Sequence, residues 1–348
     1  MSNVAAENAA KLGEMISGYM LSQIISATAV LGLADLLATG TASGKALAEA
    51  TGTQSASLLR LLRALAACGL VEEAEPGRFR LTTFGALLRA DVPGSLRNLA
   101  LMHGTEATWR AWGDLLHAVR TGQTAFEHVF GMGSFQYSAL DPDRAARFDA
   151  YMADLTHRSV AAILQAHDFS QYGGIVDLGG GNAVLLSAIL TAAPKAEGTV
   201  FDTAAGITGA RQRLEQAGVA GRCRIIAGDF FAEIPGAADA YILKSVLHDW
   251  DDDRAVAILR NCSGAMRPDS ALLIVERLLP ERTECSDAHR EITMMDMHML
   301  VMPGGRERTT SEYVELLAAA GLKSIATRPS NSPFAVIEAV KIGAPAAR

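Results

Sequence analysis

The chain has 348 residues, 49% of them hydrophobic and 20% charged, with a net charge of -7. That length holds two domains, and the composition is that of an ordinary soluble globular protein. The negative balance argues against nucleic acid as the main partner, because phosphate binding needs a basic face.

The N-terminus has no basic leader, and the apolar stretch 20–37 is broken by Ser22, Gln23, Ser26, Thr28 and Asp35, so a cytosolic, cytoplasmic chain without signal peptide or membrane span is expected. Residues 15–37 carry apolar side chains round much of a helix that breaks near Gly32, which suggests burial against a partner. Two further helices, 43–51 and 55–68, precede a small ribbon formed by 70–73 and 78–81 around Pro76-Gly77. This is a winged-helix outline, and such outlines often read DNA with their second helix. Here that helix offers only Arg60 and Arg63 among leucines and alanines, which favours a protein–protein interface. Residues 96–165 are again helical and hold Trp109, Trp112, Phe126, Phe130, Phe135, Tyr137 and Phe148. The segment is suited to roof a site that follows it, with Met132, Phe135 and Tyr137 as pocket candidates. Cys68, Cys223, Cys262 and Cys285 are scattered with no CxxC pair, which fits a reducing compartment rather than disulfides or metal ligation.

From Gly174 onward strands and helices alternate as in a doubly wound α/β sheet. The strands read as 175–178, 199–202, 224–227, 240–244, 271–276, 324–327 and 334–340. The last two are joined by a turn too short for a helical crossover, so the final strand is antiparallel and placed at the end of the sheet. After the first strand comes Gly179-Gly180-Gly181-Asn182, where glycines allow a ligand close to the backbone and to the next helix N-terminus. A glycine run alone also suits a tight turn. Asp202, 25 residues after Asp177, adds the second part: a carboxylate closing the second strand can accept from ribose hydroxyls. Asp229 and Phe230 at the third strand's tip suit adenine. The turn lacks the last glycine of GxGxxG, which disfavours a dinucleotide and suits a cofactor without phosphates, such as S-adenosylmethionine.

The fourth strand ends in Leu243-Lys244-Ser245-Val246-Leu247-His248-Asp249-Trp250, which brings His248 to the same crevice. A histidine there can take a proton from a hydroxyl nucleophile. Glu276, ending the fifth strand, and Glu307, before a helix, can each accept from its second nitrogen. Five methionines within 294–302 suit the lining of a flat aromatic pocket, with Asp296 and His298 to orient the guest. No dense run of carboxylates or histidines points to a metal, and none is expected.

Four segments, Asp177-Leu178-Gly179-Gly180-Gly181, Gly228-Asp229-Phe230-Phe231, Leu243 to Trp250 and Gly304-Gly305-Arg306-Glu307-Arg308-Thr309, resemble in order the S-adenosylmethionine-dependent O-methyltransferases of the plant caffeate and bacterial natural-product type. The resemblance covers nearly the whole chain. It implies a Rossmann-like class I methyltransferase domain, an N-terminal winged-helix-like domain that pairs in an intertwined homodimer, and methylation of a small aromatic hydroxyl. It implies His248 as general base flanked by Glu276 and Glu307, and Gly179, Asp202, Asp229, Phe230 and Lys244 as cofactor contacts. Candidate substrate contacts are Asp249, Asp296, His298, Met299 and Met302, with Trp109 and Phe135 from the aromatic segment. The expected organisation is a dimerisation domain over 1–95 and a catalytic domain over 96–348, of which 96–165 covers the substrate and 166–348 binds the cofactor. Two positions depart from the family: Ala183 replaces a glycine, and Thr203-Ala204 replaces a Leu-Pro pair. The Ala183 methyl is expected beside the methionine moiety. Relatives that keep the cofactor but catalyse hydroxylation, decarboxylation or a pericyclic step are the competing enzymatic reading, and a DNA-binding regulator is the other.

Overall fold

A helix needs an apolar stripe to bury, and the first helix of this chain, Asn3–Val30, leaves most of its stripe outside. The computed structural model describes residues 3–343, and the chain divides between Trp109 and Arg110 into two units. In the N-terminal unit that first helix ends at Gly32, whose φ of 63° only glycine adopts freely. Leu12, Met15, Ile16, Tyr19 and Met20 are each more than half exposed. Further along, β1 (Ala42–Ser43), β2 (Val71–Glu75) and β3 (Arg78–Leu81) form an antiparallel sheet in the order β1-β3-β2. Between β1 and β2 lie helices Gly44–Thr51 and Ser55–Ala67, capped by Ser43 and Gln54 side chains that accept N–H bonds at 3.1 and 2.6 Å. Leu33, Leu47, Leu58, Leu62, Leu65 and Phe79 close this unit's own core.

The second unit is built on β4 (Gly174–Leu178), β5 (Glu197–Asp202), β6 (Cys223–Ala227), β7 (Ala240–Lys244), β8 (Ala271–Leu279), β9 (Arg308–Thr309), β10 (Leu322–Pro329) and β11 (Phe334–Lys341). The sheet runs β10-β11-β8-β7-β4-β5-β6, with β9 paired to the end of β8. Its central strands are parallel, and both faces are covered. This explains their nearly unbroken apolar runs. Leu178, Tyr241, Leu243, Leu272 and Ile274 pack under helices Asp252–Ala265 and Thr310–Ala319; Ile175, Val200, Ile242, Val275 and Val336 pack under Val184–Ala192.

The last strand is antiparallel as expected, but it is not at the sheet's end. β11 lies between β8 and β10, because the hairpin folds it back onto the free side of β8. There Phe334, Val336 and Ile337 are buried, and the outer position falls to the shorter apolar run of β10. Strand order reverses beside β4, so the tips of β4, β5, β6, β7 and β8 line one crevice. Among the described residues no helix is long and apolar enough to cross a membrane.

Candidate functional site

Four neighbouring strand tips supply the first half of the site. After β4, Gly179 has φ of 70°, and a Cβ there would stand 2.7 Å from Val246 Cγ2. The Gly181 N–H donates to Asp202 Oδ2 at 2.9 Å, while Asp202 Oδ1 accepts the N–H of Thr203 at 2.6 Å. A carboxylate has about four acceptor positions, so these two bonds orient Asp202 and leave others for a diol. At the β6 tip, exposed Asp229 accepts the Phe231 N–H at 2.8 Å, and Phe230 packs edge-on to Trp250 with centroids 6.3 Å apart. A side chain at Gly181 would meet open space, so this turn has room for a ligand against its backbone.

Lys244 and Asp177 lie deeper. Burial lowers Lys244 to about 8, against the opposing pull of Glu276, and its Nζ sits 3.3 Å from Ser245 Oγ and 4.7 Å over the Phe334 ring. Burial also raises Asp177 to about 7, and its Oδ2 is enclosed without a hydrogen-bond partner.

Ala183 departs from its expected place. It holds φ of 67° as N-cap of Val184–Ala192, and it is fully buried in the apolar cluster beneath the sheet with Leu185, Leu186 and Ile189. Its methyl therefore faces the core and not a ligand.

The second half centres on His248, on the short turn Leu247–Asp249 beyond β7. Ser245 takes φ of 53°, which aims the next two backbone N–H groups at Glu276. Glu276 Oε1 accepts from Val246 at 2.9 Å and Leu247 at 3.0 Å. Its Oε2 lies 3.7 Å from His248 Nδ1, whereas Glu307 Oε1 hydrogen-bonds that nitrogen at 3.0 Å. The two acids, interchangeable in sequence, thus differ: Glu307 orients the ring and Glu276 mainly holds the turn. Asp249 Oδ1 stands 3.6 Å from Nε2. His248 is 5% exposed and both glutamates 0%. Burial alone would lower its pKa, but Glu276, Asp249 and Glu307 together raise it to about 10. Burial in turn raises Asp249 to about 7 and Glu276 upward.

The candidate substrate contacts are placed variously. Asp296 Oδ1 accepts the Glu307 N–H at 2.9 Å, so it steadies the acid beside His248. His298 Nδ1 accepts from Trp112 Nε1 at 3.2 Å. Met299 and Met302 are nearly buried on or just beyond the same helix, Asp287–Val301, and half-exposed Phe135 stacks on Trp250 at 6.4 Å. Trp109 belongs to the N-terminal unit, where it meets Tyr19 edge-on.

Spacing along the chain also conceals two clusters with metal-ligand chemistry among the described residues: His248, Glu276 and Glu307, and Asp114, His117 and His128. In the second, the imidazoles lie face to face at 3.7 Å and 5°. An ion shared by both rings must lie in both planes, which that stack does not permit.

Residues 112–323 match the O-methyltransferase domain family, and 14–91 match the O-methyltransferase dimerisation domain. The chain is 43% identical to phenazine O-methyltransferase PhzM of Lysobacter antibioticus, over 94% of either protein. It is 41% identical to O-demethylpuromycin-O-methyltransferase of Streptomyces alboniger, over 97% of this chain and 92% of that one. The solved structure of NcsB1, an O-methyltransferase from neocarzinostatin biosynthesis in complex with S-adenosylmethionine and 2-hydroxy-5-methyl naphthoic acid, superposes with a TM-score of 0.81 at 35% identity, covering 92% of this chain and 96% of NcsB1. Aclacinomycin 10-hydroxylase RdmB of Streptomyces purpurascens is 35% identical over 92% of this chain and 87% of its own.

Proposed function

Since the chain belongs to the S-adenosylmethionine-dependent O-methyltransferases, we propose that it methylates a phenolic hydroxyl of a small, flat natural product, with His248 as the general base. The observation that carries this reading is the buried Glu307–His248 hydrogen bond, which holds Nδ1 and leaves Nε2 to act. When bound, the cofactor supplies an electrophilic methyl on a cationic sulfur. Asp202 would hold its ribose, the turn from Gly179 its methionine portion, and Asp229 with Phe230 its adenine. Lys244, whose Nζ lies beside Ser245 Oγ and over the Phe334 ring, would add its positive charge to the same contacts.

A phenol has a pKa of about 10 and is mostly neutral near pH 7, so it needs a base as it attacks. The carboxylates around His248 outweigh burial and raise its proton affinity, so the neutral ring is a strong acceptor for the phenol proton. Glu307 then stabilises the imidazolium, as the third member of a catalytic triad does. Met299 and Met302 supply apolar walls, and His298, Asp249, Asp296 and Phe135 complete the candidate substrate contacts of this unit. Relatives named for a phenazine, a puromycin precursor and a naphthoic acid make fused or substituted aromatics the class to try.

The exposed stripe on Asn3–Val30 and the match of residues 14–91 to a dimerisation domain support a homodimer built on residues 1–95. Four free cysteines suit a reducing cytoplasm. The likeness to RdmB favours a second reading, a cofactor-retaining hydroxylase. The placement of His248 between two buried glutamates argues for transfer. Incubation with methyl-labelled S-adenosylmethionine and hydroxylated phenazines and naphthoates tests the choice: label on the acceptor oxygen supports transfer, and cofactor binding with oxygenation but no labelled acceptor supports the second reading.

A further inference from the structure

The segment that delivers Glu307 also grips the backbone of the His248 turn. Gly305 lies so close that a Cβ would stand 2.0 Å from the His248 carbonyl oxygen. The Arg306 N–H donates to that same oxygen at 2.8 Å. Arg308, 0% exposed, donates from Nη1 to Leu247 O at 2.9 Å and from Nη2 to Trp250 O at 2.8 Å. Its Nε and Nη2 both reach Asp252 Oδ1, at 3.0 and 2.8 Å.

The carbonyls of Leu247, His248 and Trp250 are therefore held by two residues, Arg306 and Arg308, that flank Glu307. Pairing of Arg308 with Leu278 at the β8–β9 junction keeps the gripping segment from sliding. Burying a guanidinium is costly unless its donors are satisfied. Here two of its bonds go to main-chain oxygens of the catalytic turn, and its ion pair is with Asp252, whose side chain is 56% exposed. An arginine fork reaches two separated carbonyls and a carboxylate from different nitrogens, whereas a lysine offers all its donors from a single atom.

Resting on the reading of His248 as base, we infer that Arg308 is a positioning residue, which sets the distance between the imidazole and Glu307 by clamping the backbone of the turn. A misplacement on the order of 1 Å can cost a hundredfold in rate. The charge and the clamp make opposite predictions. Deleting a nearby positive charge by itself raises the proton affinity of His248, whereas loosening the turn lengthens the Glu307 contact and lowers it.

The test uses the full chain, labelled at histidine and saturated with S-adenosylhomocysteine, and follows the His248 titration by NMR in the parent, Arg308→Met and Arg308→Lys. Cofactor affinity and methyl transfer are measured on the same samples. The expected result is cofactor affinity within twofold of the parent, a His248 midpoint lowered by one pH unit or more, and kcat reduced at least tenfold with KM little changed, Arg308→Lys being the milder. If Arg308→Met does not fold, Arg308→Lys decides. A midpoint unchanged or raised in a folded variant overturns the clamp and leaves His248 as base. Parent-like transfer by His248→Ala overturns the reading of the base, whatever Arg308 does.

Discussion

At His248 three carboxylates compete with burial, and the carboxylates win. Because its folded pKa is raised to about 10 from the ordinary 6.5, the charged imidazole contributes stability that is fully present below about 6.5 and is lost as pH rises toward 10. Base catalysis needs the neutral ring, so kcat/KM should climb with pH between about 7 and 10 instead of levelling near 7. Glu276→Gln keeps an acceptor for the Val246 and Leu247 N–H groups but removes a charge, so it should move that acid limb to lower pH. A pH profile for both proteins checks this, and a limb that stays put or moves up contradicts the electrostatic argument. Ala183 offers a separate test. A non-glycine residue in the left-handed region costs about 1 kcal/mol, and burying one methyl returns about 0.8 kcal/mol. Ala183→Gly should therefore barely change Tm, and because the methyl faces the core it should leave cofactor affinity within twofold, as calorimetry would show. A large gain in affinity would mean that the methyl reaches the ligand.

Strand tips and the turns beyond them make the site, so substitutions there act on one half at a time. Asp202→Ala removes a carboxylate that braces the Gly181 turn, and hydrogen bonds to charged groups contribute about 1.5–3 kcal/mol. Tm should fall as the brace on the Gly181 turn is lost, and cofactor Kd should rise tenfold or more; unchanged affinity would remove Asp202 from the ribose role. Much of this element-level plan was legible in the chain. Apolar runs marked β4 to β8, and strand-end chemistry marked Asp202, Asp229 and His248, because ligands of such sheets gather at those ends. Other features depend on contacts far apart in sequence. The two residues of β9 carry no periodicity, the position of β11 depends on which edge is free, and nothing local separates Glu276 as turn-holder from Glu307 as ring-orienter. The direction of the Ala183 methyl depends on a backbone φ that alanine seldom adopts. Arg308 reads as one more charge in a polar loop until its carbonyl partners are seen.

Across the whole molecule, the N-terminal unit buries one face of its short helices and leaves Leu12, Met15, Ile16, Tyr19 and Met20 in solvent. Exposed apolar stripes of this kind mark interfaces. A second copy covering them predicts a dimer in solution, and the double variant Ile16→Glu, Met20→Glu should shift it to monomer by light scattering. A parent that is monomeric at micromolar concentration would contradict that assembly. The most direct measurement of all is transfer of label from methyl-labelled S-adenosylmethionine to a panel of hydroxylated aromatics, run with the parent and His248→Ala. Label on an acceptor oxygen with the parent, reduced at least a hundredfold in a variant that still binds cofactor, is the expected result; equal transfer by both proteins would contradict His248 as the base.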